Sequence, residues 1–128
     1  MGGLALIVGI RGATTVTENT KPEIIKAAQE MVTEIMCRNS LTEDDFVSLL
    51  FTVTPDLDAA FPAEGIREMG ICSTPLMCAV EIPVRGSLAR CIRVLVHSYG
   101  VSSKRNVKHV YLRDAVRLRA DLAGGETE

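Results

Sequence analysis

The run Cys91-Ile92-Arg93-Val94-Leu95-Val96 has the apolar, β-branched character of a core strand, yet an arginine stands in its middle. A second arginine, Arg11, follows directly on Leu4-Ala5-Leu6-Ile7-Val8-Gly9-Ile10. A guanidinium cannot shed its proton when taken out of water. The fold must therefore set both cations against carboxylates, or against a ligand that carries them. Alternation along the first run puts Ile92, Val94 and Val96 on one face and Cys91, Arg93 and Leu95 on the other. The chemistry this pattern points to is the binding of a small polyanion.

The chain has 128 residues, 47% of them hydrophobic, which suits one domain with a real core. Acidic residues outnumber basic ones 16 to 14, so the surface has no long-range pull on nucleic acid or anionic lipid. The first apolar stretch is too short to span a bilayer, has no basic residue before it and runs into Arg11, so neither a signal peptide nor an anchor is expected. Leu6 stands where a myristoylation signal needs Ser or Thr. A cytoplasmic protein is expected. The cysteines at 37, 72, 78 and 91 form no CxxC pair, and His97 and His109 have no ligand spacing with them, which argues against zinc. Cys37 and Cys91 read as buried thiols. Both histidines read as structural.

Periodicity predicts a strand over 4–10, buried on both faces and ending at Arg11-Gly12. Thr20-Lys21-Pro22-Glu23 has the form of a capping box with proline in the first turn, and Ile24, Ala28, Met31, Val32, Ile35 and Met36 share a face, giving a helix over 22–38. Thr42 and Asp45 start at most one turn before a strand from Phe46 to Val53. A short helix from Pro62 to about Met69 stops at Gly70. Strands follow near Pro75–Ile82, Leu88–Tyr99 and Val107–Leu112. The expected fold is α+β: a mixed five-stranded sheet packed on one long helix plus a short one. One long helix under-covers the second sheet face, so association is expected. A single domain to residue 122 is followed by a polar, glycine-rich tail, 123–128, expected to be mobile.

Read together, Gly9-Ile10-Arg11-Gly12-Ala13-Thr14-Thr15-Val16, Thr54-Pro55-Asp56-Leu57, Phe61-Pro62-Ala63, Cys78, Glu81, Cys91-Ile92-Arg93-Val94 and His109-Val110-Tyr111-Leu112 closely resemble the chorismate mutases of the AroH class. The resemblance runs from Val8 to Leu122. It implies a homotrimer forming a pseudo-α/β-barrel, with sites in the clefts between subunits. It also implies the rearrangement of chorismate to prephenate in tyrosine and phenylalanine biosynthesis, without cofactor, metal, nucleic acid or membrane.

By resemblance the catalytic residues are Arg93, Glu81, Arg11, Tyr111 and Cys78. Arg93 would donate to the ether oxygen and a carboxylate, Arg11 and Tyr111 would hold carboxylates, and Glu81 would accept from the substrate hydroxyl and balance the arginine charge. Phe61, Ala63, Leu76, Met77 and Leu118 match wall positions, and Arg67 and Arg119 match arginines near the mouth. Glu64 stands where better-known members carry a lysine, which reverses the charge at the rim. Either it repels a dianion, or it pairs with Arg67 along the short helix. Taken alone, Arg93 also reads as a strand arginine paired with a core carboxylate such as Glu81, Tyr111 as a half-buried strand tyrosine, and the wall residues as ordinary core. Regular alternation puts Cys78 and Glu81 on opposite faces, so a bend near Pro83 is needed if both line one site. The competing readings are an enamine or imine deaminase of the same trimeric fold, and a non-enzymatic trimer that senses a carboxylate.

Overall fold

The computed structural model describes residues 6–118. In chain order they form β1 (Val8–Thr15), α1 (Lys21–Asn39), β2 (Phe46–Val53), α2 (Pro62–Glu68), β3 (Leu76–Val80), β4 (Cys91–Ser98) and β5 (Val110–Tyr111). Short 3-10 turns lie at Glu43–Asp45, Lys104–Asn106 and Arg113–Arg117. Arg119 and the tail 123–128 lie outside the described residues.

The helices form where their end signals stand. The Glu23 N–H donates to the Thr20 hydroxyl at 3.4 Å, which caps α1. The Glu23 carboxylate does not return to Thr20 as a capping box requires; it accepts from the N–H groups of Thr17 and Glu18 at 3.0 and 3.2 Å. Ser40, in the left-handed region, ends the helix, and its N–H reaches back to the Cys37 and Met36 carbonyls. Gly70, at φ +92°, follows α2.

The sheet order is β3-β2-β4-β1-β5. β4 runs antiparallel to both β1 and β2, whereas β3 runs parallel to β2 and β5 parallel to β1. Ile10, Leu49, Phe51, Ile92, Val94 and Val96 pack from one sheet face against Ile24, Ala28, Met31 and Ile35 of α1 and Ile66 of α2. A β-carbon on Gly12 would lie 2.7 Å from Ile35 Cδ1 and 2.9 Å from Val94 Cγ1. The bare backbone there is what lets α1 approach β1 so closely.

Two further expectations are corrected. The first strand does not stop at Arg11-Gly12: β1 continues to Thr15, because its pairing with β4 runs unbroken from Val8↔Ser98 to Thr15↔Cys91. It is buried on both faces only from Gly12 onward, and Leu6 and Ile7 ahead of it are exposed. Cys37 is exposed rather than buried, because it projects from α1 away from the stripe that carries Ile35 and Asn39; Cys91 is buried. The opposite sheet face does remain open, and Leu95, Met77, Val80 and Ile82 are exposed along it and at its β3 edge.

Candidate active site

Register places the charged side chains. Arg93 of β4 is paired with Ala13 of β1 on one side and Thr52 of β2 on the other, and Thr52 in turn with Ala79 of β3. Ala13 is also the partner of Tyr111 in β5. One row across the open face therefore reads Tyr111, Ala13, Arg93, Thr52, Ala79. The next row holds Arg11, Leu95, Leu50 and Met77. Glu81 comes two residues after Ala79 and keeps the strand alternation, since its N–H donates to the Val53 carbonyl at 2.8 Å.

Arg93 grips Glu81 along the side of its fork: Nε lies 3.0 Å from Oε2, and Nη2 donates to Oε1 at 3.1 Å. The Thr52 hydroxyl donates to the same carboxylate. The pair is not in the core, because the Arg93 side chain is 49% exposed. A surface pair of this kind is worth at most about 1 kcal/mol to folding. The Arg11 N–H donates to Nδ1 of His109 at 2.9 Å, and its Nη1 lies 3.4 Å from Nε2 of the same ring. His109 is almost fully buried and holds the Arg11 segment from the β5 side. His97 meets the Ser48 hydroxyl at 3.0 Å. Both histidines thus have structural partners.

Arg11, Glu81, Arg93, Tyr111 and Leu118 line one cavity of about 370 Å³ on this open face, together with Thr52, Leu50 and Leu95. Two guanidiniums, a phenol and a carboxylate face one space in which a small anion could be held by planar, oriented donors. Thr52 was not singled out from the sequence. The even spacing from Leu50 in β2 carries the signal, but only once β2 is known to lie beside β4.

Phe61, Glu64 and Cys78 line a second cavity, of about 480 Å³, with Lys21, Asp58 and Val80. It lies on the helix side of β3, where Cys78 stands next to Phe51. Cys78 and Glu81 therefore keep to opposite faces, and no bend at Pro83 unites them within one chain. Ala63 is core, Leu76 packs half-buried against the core, Arg67 is exposed on α2, and Met77 is exposed on the open face. None of these four lines either cavity. Glu64 pairs with Lys21, at 2.9 Å, across the gap between the two helix starts. That hydrogen bond, and the charge behind it, raise the Lys21 ammonium above its ordinary value. Burial pushes the Cys91 thiol up to about 11, against a smaller opposing pull from Arg93.

Among the described residues there is no group of three or more His, Cys, Asp or Glu that could hold a metal ion, and no helix is long and apolar enough to cross a membrane. The family model for chorismate mutase type I matches residues 7–122. The chain is 43% identical to chorismate mutase AroH of Thermus thermophilus over 122 residues, covering 94% of this chain and all of that protein. It is 40% identical to chorismate mutase AroH of Bacillus subtilis (strain 168) over 119 residues, covering 92% and 94% of the two. A solved chorismate mutase from Clostridium thermocellum superposes with a TM-score of 0.83 at 53% identity, covering 84% of this chain and 96% of that one.

Proposed function

The chain belongs to the chorismate mutase type I family and converts chorismate to prephenate on the way to tyrosine and phenylalanine; we propose that it does so in the cavity lined by Arg11, Glu81, Arg93 and Tyr111. In this isomerisation one ether C–O bond breaks while a C–C bond forms within the same molecule, so no atom or proton is exchanged. Negative charge gathers on the ether oxygen as its bond lengthens. Fixed donors aimed at that oxygen, in a cavity that holds the substrate folded, are what such a step needs.

The observation that carries the assignment is the side-on Arg93–Glu81 pair at the cavity wall. A guanidinium has five N–H donors. Glu81 engages two of its nitrogens and orients the fork, leaving donors for the ether oxygen and a neighbouring carboxylate. Arg11 and Tyr111 take the substrate carboxylates, and Leu118 closes an apolar wall. Glu81 balances the arginine charge, accepts from the substrate hydroxyl, and is itself positioned by Thr52.

Three copies of the chain assemble with their sites between neighbours. Two features support association of copies at the β3 edge. β3 is an edge strand, and Met77, Val80, Ile82 and Phe61 around it are 64–79% exposed, an apolar edge that invites a covering partner. The Phe61–Cys78 cavity takes Cys78, Ala79 and Val80 of that edge into its lining, and the other cavity reaches toward it through Glu81, so a neighbour docking there can join the Phe61–Cys78 half of one copy to the Arg93 half of the next. Wall roles for Phe61, Cys78 and Glu64 belong to that joined cleft.

Incubating the pure chain with chorismate and following loss of its diene absorbance tests the activity. No consumption refutes it. Sedimentation equilibrium tests the assembly, and a monomer mass in an active preparation refutes the shared cleft alone.

A further inference from the structure

The cavity carrying Phe61 and Cys78 has three charged side chains among its lining residues: Lys21, Asp58 and Glu64. Asp58 is occupied by Asn19, whose Nδ2 donates to it at 2.7 Å and whose Oδ1 accepts from the N–H groups of Asp58 and Ala59 at 3.1 Å each. Glu64 is occupied by Lys21, which reaches it from the first turn of α1. That turn is a poor place for a cation, because the helix dipole there favours negative charge. The Lys21 side chain is also 59% exposed, so packing does not explain it either. What its position does provide is a rotatable ammonium, on a flexible four-carbon stem, in a largely apolar cavity whose other two charged side chains, Asp58 and Glu64, are both carboxylates.

We propose that Lys21 is a substrate-binding residue: from the Phe61 side of the cleft it adds a cationic contact to one of the carboxylates of chorismate, shared with the donors already named, and Glu64 is the counter-ion it exchanges for that carboxylate. The inference rests on the reading of the two cavities as one cleft between subunits. Glu64 alone would repel a dianion at the rim. With Lys21 beside it, the rim offers a neutral pair in which one partner can swing to the incoming anion. The exchange replaces one exposed ion pair by another, so its effect on affinity is moderate and screened by salt.

Steady-state chorismate turnover by the full chain, at low and high salt, tests this with Lys21→Met, Lys21→Arg, Glu64→Gln and the double variant Lys21→Met/Glu64→Gln. A charge lost at this distance is expected to raise KM in Lys21→Met by about five- to tenfold at low ionic strength, and less at high, with kcat changed less than about twofold. Lys21→Arg keeps KM close to that of the wild type, and Glu64→Gln lowers it by freeing Lys21. The double variant keeps a KM at least about threefold above Glu64→Gln alone. A KM in Lys21→Met within about twofold of wild type overturns the proposal. So does a double variant that matches Glu64→Gln, since Lys21 would then act only by masking Glu64. Wild-type turnover, measured first, separates the two levels: a chain that leaves chorismate untouched overturns the mutase reading and this inference together, whereas an active chain lets the ratios decide Lys21 alone.

Discussion

Replacing Arg93 by lysine keeps the positive charge and removes the fork. In the structure that fork engages both Glu81 oxygens, through Nε at 3.0 Å and Nη2 at 3.1 Å. A lysine ammonium has three donors at one point. It can stay near Glu81 or reach the ether oxygen, but it cannot do both with the geometry of a planar group. The folding cost is small, at most about 1 kcal/mol, because Arg93 is half exposed and its pair is screened by water. The catalytic cost is much larger: one oriented donor to a developing oxyanion is worth about 10²–10³ in kcat, or about 2.7–4 kcal/mol. Arg93→Lys, like Arg93→Ala, is therefore expected to lose most of kcat while its melting temperature moves only a few degrees. The assay is chorismate absorbance loss at saturating substrate, with circular dichroism melting as the folding control. Near-wild-type kcat in Arg93→Lys would sink the argument, since charge alone would then suffice. A large fall in melting temperature would show instead that the pair is structural.

The chemical step moves no proton, so kcat is expected to be nearly flat from about pH 6 to 8, insensitive to EDTA and without a solvent isotope effect; a steep bell, with product release excluded as its cause, would favour the deaminase. Gly12→Ala would place a methyl under 3.0 Å from both Ile35 and Val94; overpacking of this kind costs about 1–3 kcal/mol, or roughly 4 °C of melting temperature per kcal/mol for a chain of this size. An unchanged melting curve would mean that α1 can retreat. Because burial raises the Cys91 thiol to about 11, only a trace is thiolate at neutral pH. Alkylation read by mass spectrometry is expected to label the exposed Cys37 and Cys72 in the native protein and Cys91 only after unfolding; early labelling of Cys91 would contradict its burial.

Local pattern carried a great deal. The β2 limits at Phe46 and Val53, the extent of α1, the stop of α2 before Gly70, and the separation of Arg93 from Ile92 and Val94 all follow from side-chain period, caps and backbone preferences. These are properties of a short stretch of chain, legible without neighbours. The ordered set of motifs around Arg11, Glu81, Arg93 and Tyr111 was likewise legible as a family pattern. Only the tertiary structure decided the rest. It ran β1 on to Thr15 because β4 offered partners, brought Thr52 to Glu81 because β2 lies between β3 and β4, and gave Glu64 the ammonium of Lys21 rather than Arg67. It also divided Cys78 and Glu81 between two cavities. Strand order and register create contacts between residues far apart in the chain, and no local period encodes which strand will lie beside which.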